Sequence, residues 1–265
     1  MKEQIEGCVI VGSSRGLGAA LVDEFLSETS YQILGLARTN FSKIKCHDKW
    51  IVSQRYRHVE IDIASSHCRE ALKSIALQLP PKPICLIFNS AHIEKDINED
   101  QSINFSAFDR VNRVGVIGLG NVLFAFEEHL LKYGGIVVGI SSFWGVVAPL
   151  YLPWIAYPAS KAYLNMVTRC LRVAWRKNVQ VMAVNIGNLE QAGKDNPPPW
   201  LVPTYRMAAK KIVRSVLGNR IPESINYPLW HSIVYLYILK FVPKIVYSWV
   251  FRSYFFLESL YRKRS

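Results

Sequence analysis

Glu6 to Gly18 reads EGCVIVGSSRGLG. Cys8 to Val11 is apolar and largely β-branched, and Gly12 ends it, as in a short strand buried on both faces. From Leu17 to Phe25 apolar residues recur at helical spacing. The turn between them, Gly12-Ser13-Ser14-Arg15-Gly16-Leu17-Gly18, carries three glycines. Glycines let a backbone approach a pyrophosphate closely. The helix that follows offers unpaired N–H groups and the positive end of its dipole.

Outward from this unit, apolar runs and helical patterns alternate. Strands are predicted at Tyr31–Ala37 (YQILGLA), His58–Ile63 (HVEIDI), Ile84–Phe88 (ICLIF), Gly135–Ile140 (GIVVGI), Val179–Ile186 (VQVMAVNI) and Glu223–Tyr227. Helices are predicted at Cys68–Leu79, stopped by Pro80-Pro81, and at Phe105–Leu131, Ala159–Trp175 and Thr204–Leu217. The expected fold is α/β: a doubly wound, Rossmann-type parallel sheet of about seven strands with helices on both faces. Residues 1–228 form the expected catalytic domain. Within it, 188–205 is a lid loop that Pro197-Pro198-Pro199 keeps from being helical. Residues 229–265 are a hydrophobic and basic helical extension.

The chain has 265 residues, of which 50% are hydrophobic, enough for a core and too many for a disordered chain. Cys8, Cys46, Cys68, Cys85 and Cys170 include no C-x-x-C pair, which points to a reducing, cytoplasmic compartment and to no metal site. Cys8–Val11 is too short for a secretory apolar segment, so no signal peptide is expected. From residue 200 onward there are eleven basic and two acidic residues, +9 of the total +12. Charge concentrated in one quarter of the chain argues for a specialised surface and against a general nucleic-acid binder. Eleven aromatics between Trp230 and Tyr261 lie beside Lys240, Lys244 and Arg252. That mixture fits peripheral contact with the inner face of a membrane, or packing against the domain or a second subunit.

Two positions speak to the cofactor. NAD-binding sheets usually place a carboxylate at the end of the second strand to hold the ribose 2′-OH. Here the strand ends Leu36-Ala37-Arg38-Thr39. Arg38, with Arg15 in the glycine turn, would instead pair with a 2′-phosphate, which favours NADP(H). For catalysis, Tyr157-Pro158-Ala159-Ser160-Lys161 puts Tyr157 and Lys161 one helical turn apart on one face. A nearby ammonium is expected to lower the phenol's pKa toward neutral pH. Ser142 stands at the end of a predicted strand, where open α/β sheets hold their ligands.

The G-x-x-x-G-x-G turn with S…Y-x-x-x-K resembles the short-chain dehydrogenase/reductase family over about residues 5–228. The resemblance implies a catalytic set of Asn112, Ser142, Tyr157 and Lys161. Ser142 would bind the substrate oxygen, Tyr157 would move the proton, Lys161 would hold the nicotinamide ribose, and Asn112 would support a relay water. It implies cofactor contacts from Gly12, Ser14, Arg15, Gly16, Leu17, Gly18, Arg38, Asp62 (at the adenine), Asn89, Ala91, Tyr157, Lys161, Ile186 and Gly187. It also implies a small-molecule carbonyl or alcohol substrate and pairing of identical subunits. Departures are His92 for a glycine and Ser90 for an asparagine in Asn89-Ser90-Ala91-His92, Ile186 for a proline, and Gln191 for a threonine. Phe143, Trp144, Tyr151, Trp154 and Trp200 would border an apolar substrate pocket. The function expected is an NADP(H)-dependent carbonyl/alcohol oxidoreductase. The rival is an NADP(H)-binding regulator or scaffold without turnover.

Overall fold

A computed structural model describes residues 5–45, 47–147, 154–189 and 202–233. Seven parallel strands form one sheet in the order β3-β2-β1-β4-β5-β6-β7. They are β1 Gly7–Val11, β2 Gln32–Ala37, β3 Tyr56–Glu60, β4 Ile84–Phe88, β5 Gly135–Ser142, β6 Val179–Ile186 and β7 Ser224–Tyr227. The helices are α1 Gly16–Glu28, α2 His47–Ser53, α3 Cys68–Leu77, α4 Phe105–Asn112, α5 Gly118–Tyr133, α6 Ala156–Ala174, α7 Tyr205–Leu217 and α8 Leu229–Ser232.

Two apolar layers hold the sheet. On one face Leu21, Val22 and Phe25 of α1 pack with Ile212 and Val213 of α7 over Ile10, Ile87 and Val184. On the other, Leu72 of α3, Val122 and Phe126 of α5 and Leu164 of α6 cover Val9, Leu86 and Val137. The doubly wound, seven-stranded parallel expectation is met. The order reverses between β1 and β4, which opens a crevice at the strands' C-terminal ends.

Several boundaries differ from the sequence reading. β3 runs from Tyr56 to Glu60, not 58–63, because its register is fixed by pairing Ile33–Ala37 of β2 with Tyr56–Glu60. Asp62 therefore lies beyond the strand, where its carboxylate accepts the Ala64 amide at 3.0 Å. α6 begins at Ala156, ahead of Pro158; a proline is tolerated in a first turn, where its missing N–H has no partner to lose. The single helix expected at 105–131 is α4 and α5 joined by a π-helical turn, Arg113–Ile117. At 29 residues the combined segment has the length and apolar character to cross a membrane, yet Leu119, Val122, Phe126 and Leu130 along it are part of the core under the sheet. Thr204 is the cap of α7 rather than its first residue, its hydroxyl accepting the Met207 amide at 3.2 Å. Most of the lid and the extension from residue 234 lie outside the described residues.

The helix α2 had no apolar period to announce it. Trp50 anchors it, fully buried, with Nε1 donating to Asp23 on α1 at 2.8 Å and its ring 4.5 Å from that of Tyr56. Trp50→Ala is expected to cost about 3–5 kcal/mol and to lower the unfolding midpoint by roughly 10 °C. Trp50→Phe keeps most of the packing and should lose far less. Thermal unfolding of the two variants checks this.

Candidate active site

The ends of β1, β4, β5 and β6 bring the predicted residues to one edge. Gly12 follows β1 with φ +86°, and Gly16 opens α1 with φ +56°, both in the left-handed region that favours glycine. At Gly18 an added Cβ would lie 1.9 Å from the Gly12 carbonyl oxygen, so turn and helix meet too closely for any side chain. Asn89, just past β4, donates through Nδ2 to that same carbonyl at 2.9 Å and closes the turn from the other side. α1 has no side chain capping its N-terminus and no acid in its first turn. Its free N–H groups thus suit an anion, and the exposed Arg15 and Arg38 add positive charge. These residues fit the diphosphate of a nicotinamide dinucleotide. Ser14 and Leu17 belong to the same turn. Ala91 is exposed past β4, while Ile186 is buried at the end of β6 and the Gly187 amide bonds the Tyr227 carbonyl at 2.9 Å.

The four predicted catalytic residues fall on β5, α4 and α6. Ser142 ends β5, and its Oγ accepts the Trp144 amide at 3.2 Å. The Ser142 hydroxyl neighbours the Tyr157 phenol and favours its charged form. Lys161 is buried one turn along α6, its Nζ donating to the Ile140 carbonyl at 2.8 Å and lying 5.7 Å from the Tyr157 ring centroid. Asn112 ends α4, its Nδ2 donating to the Phe108 carbonyl at 3.0 Å. The π-helical turn follows it directly and packs against α6 so tightly that a Cβ at Gly115 would lie 2.7 Å from that of Ser160. Such turns recur at functional sites.

The expected low phenol pKa is not what this geometry produces. Enclosure pushes Tyr157 up to about 12, against a smaller lowering by the neighbouring Ser142 hydroxyl. Burial pulls Lys161 down to about 8. The ammonium faces a backbone carbonyl and not the phenol oxygen, so desolvation outweighs charge for both groups.

The aromatic wall is partly as expected. The Trp144 and Trp154 rings lie 5.2 Å apart, and Trp144 meets Tyr157 edge-on at 6.1 Å. Phe143 is withdrawn into the core at 1% exposure and does not border an open pocket, because it faces inward from the turn after β5. Tyr151, Gln191 and Trp200 lie outside the described residues. His92 bonds Glu94 at 2.8 Å, and Glu94 takes a two-pronged contact from Arg110 at 2.9 and 2.7 Å. Those partners hold the Glu94 carboxyl down at about 2. The residue that replaces a glycine thus belongs to a surface network.

A polar chain escaped the sequence reading. Ser13 meets the Tyr56 hydroxyl at 3.2 Å, Tyr56 meets His58 Nδ1 at 3.0 Å, and His58 Nε2 meets the Thr39 carbonyl at 2.8 Å. A carbonyl only accepts, so Nε2 carries the proton, Nδ1 accepts from Tyr56, and Tyr56 accepts from Ser13. The chain ties the glycine turn to the peptide after Arg38. Gly35 leaves it room, since a Cβ there would lie 2.0 Å from the Tyr56 oxygen. The signal was available as Tyr56, two residues ahead of His58, which opens the run read as the strand.

Comparison with known proteins bears on the family and the fold. A family described as short chain dehydrogenase matches residues 7–197. The chain belongs to the short-chain dehydrogenase family. Members are oxidoreductases that bind a nicotinamide cofactor and act on small molecules. Galactitol 2-dehydrogenase of Rhizobium johnstonii is 24% identical over 225 residues, covering 80% of this chain and 86% of that one. A Burkholderia cenocepacia short-chain dehydrogenase solved with NADP has a TM-score of 0.70 at 22% identity, covering 91% of this chain and 100% of that one. A Streptomyces avermitilis short-chain dehydrogenase has a TM-score of 0.70 at 17% identity, covering 99% of each.

The pKa directions give a stability signature. Lys161 titrates near 8 when folded and near 10.5 otherwise, so between those values the unfolded chain binds more protons and stability rises with pH. Tyr157 acts oppositely between 10 and about 12, where the folded chain holds the extra proton and stability falls as pH rises. Relative to Lys161→Met, the unmodified protein should gain on the order of 2 kcal/mol as pH goes from about 7.5 to about 9.5. Urea unfolding at the two pH values measures it.

Proposed function

We propose that this chain is an NADP(H)-dependent oxidoreductase that interconverts a carbonyl and an alcohol on a hydrophobic substrate, working mainly as a reductase. The observation that carries the reading is the convergence of Ser142, at the C-terminal end of β5, with Tyr157 and Lys161, one turn apart on α6, where the Lys161 ammonium is held by the β5 carbonyl of Ile140. Bound NADPH supplies the hydride. Gly12, Gly16, Gly18 and the first turn of α1 would hold its diphosphate, Arg15 and Arg38 its 2′-phosphate, Asp62 its adenine, and Lys161 the nicotinamide ribose.

The Ser142 hydroxyl orients the substrate carbonyl oxygen beside the Tyr157 phenol. As the carbonyl carbon gains the hydride, Tyr157 gives its proton to the oxygen. A phenol held near 12 is fully protonated at neutral pH, which suits donation and hence reduction. A water supported by the half-buried Asn112 would return the proton to Tyr157 from solvent. The paired Trp144 and Trp154 rings beside Tyr157 support an apolar or aromatic substrate. Exposed apolar residues on α4 to α6, among them Phe105, Phe124, Met166 and Val173, support pairing of two copies.

The test is turnover with purified protein, NADPH and a panel of aromatic and aliphatic ketones. Tyr157→Phe should retain cofactor binding and lose about 10²–10⁴-fold in kcat. A phenylalanine variant as active as the parent would remove Tyr157 from the mechanism. NADPH consumption by none of the ketones, with tight NADPH binding, would favour a binding protein without turnover.

Cofactor choice is tested separately by titration. NADPH should bind at least about tenfold more tightly than NADH, and Arg38→Asp should abolish or reverse that preference. Equal affinities in the unmodified protein would refute the 2′-phosphate assignment.

A further inference from the structure

Asp96 is fully buried. One carboxylate oxygen accepts the Ile155 amide at 2.7 Å, and the other accepts the Ala156 amide at 2.6 Å. Those amides immediately precede Tyr157 and open α6, whose N-cap residue, Ile155, offers no capping side chain. Among the described residues no cation pairs with this carboxylate. A buried charge without a counter-ion is costly unless hydrogen bonds and a helix N-terminus compensate it, and both do so here. A serine or threonine hydroxyl would span only one amide; a carboxylate spans two neighbouring ones.

The backbone of Asp96 reaches a second element. Its carbonyl accepts the Asn104 amide at 2.9 Å, closing a small excursion in which Ile97 bridges Ile103. Asn104 in turn caps α4, accepting the Ala107 amide at 3.1 Å. One residue therefore ties the start of α6, which carries Tyr157 and Lys161, to the start of α4, which ends in Asn112.

We propose that Asp96 is a positioning residue for the reaction, fixing the first turn of α6, and with it the Tyr157 hydroxyl, relative to Ser142 and Asn112. This rests on the oxidoreductase reading above. Displacing a reacting group by about 1 Å is enough to slow a reaction about 10²-fold. In Asp96→Asn the side-chain NH2 must face one of the two amides, so one hydrogen bond is replaced by a donor–donor contact and the turn shifts.

The expected result for Asp96→Asn is a fall of about 10–100-fold in kcat, with KM for NADPH and its directly measured affinity unchanged. Leu72→Ala, a core deletion on α3 away from the site, is the stability control. It should lose as much thermal stability or more and keep its kcat. If kcat falls equally in both variants, or falls in neither, Asp96 is merely structural and the proposal is overturned. Amide exchange supplies a readout independent of turnover: Ile155 and Ala156 should exchange at least about tenfold faster in Asp96→Asn, with α6 from Leu164 onward unchanged. Unaltered exchange at these two amides also overturns the proposal. If the unmodified protein reduces no carbonyl, the oxidoreductase reading fails on its own, and the exchange result alone decides the Asp96 assignment. Should Asp96→Asn not fold, Asp96→Ser, which keeps one acceptor, is read by the same measurements.

Discussion

A parallel sheet covered by helices on both faces leaves only its strand ends open to a ligand, and every feature of this site answers to that constraint. Each strand must finish at the same edge with a turn that presents something useful. β1 finishes in a glycine turn, β4 in Asn89, β5 in Ser142 and β6 in Gly187. The apolar layers of Leu21, Phe25 and Val213 on one side and Leu72, Phe126 and Leu164 on the other fix where those ends fall. Burial sets the sheet, and the sheet sets the relative places of groups far apart in sequence.

The parts governed by burial were legible in the sequence. Strands covered on both faces appear as unbroken apolar runs, so β4 and β6 were placed to the residue from Ile84–Phe88 and Val179–Ile186. The edge strand β3 has one wet face and alternates imperfectly, and its bounds were misjudged. α2 was missed because a seven-residue helix carries too few apolar positions for a period to emerge; a single buried tryptophan holds it.

For the site, the four catalytic candidates were legible because their chemistry restricts residue type and their helix fixes the spacing. Long-range hydrogen bonds were not. Nothing local marks Asp96 as the residue that reaches across 59 and 60 positions to Ile155 and Ala156, or Ser13 as the partner of Tyr56. The direction of the Tyr157 shift was misread for a related reason. Spacing shows that two side chains share a face, but not that Lys161 turns its ammonium to the Ile140 carbonyl.

That choice of partner recurs throughout the site. Lys161 donates to the backbone of Ile140, Asn112 to that of Phe108 and Asn89 to that of Gly12, while Asp96 accepts from the backbone of Ile155 and Ala156. A side chain held by main-chain atoms depends on the path of the chain and not on which residue supplies the atom. The supporting positions can then change freely so long as the strands and helices keep their courses. This accounts for a fold shared at 17–22% identity. The Glu94 network illustrates the same freedom from outside: His92 and Arg110 bond each other's partner at the surface, and the main-chain anchors of Asn89 and Asp96 on either side are intact. Substitutions on the rim can therefore reshape what enters the site without disturbing the groups proposed to act on it.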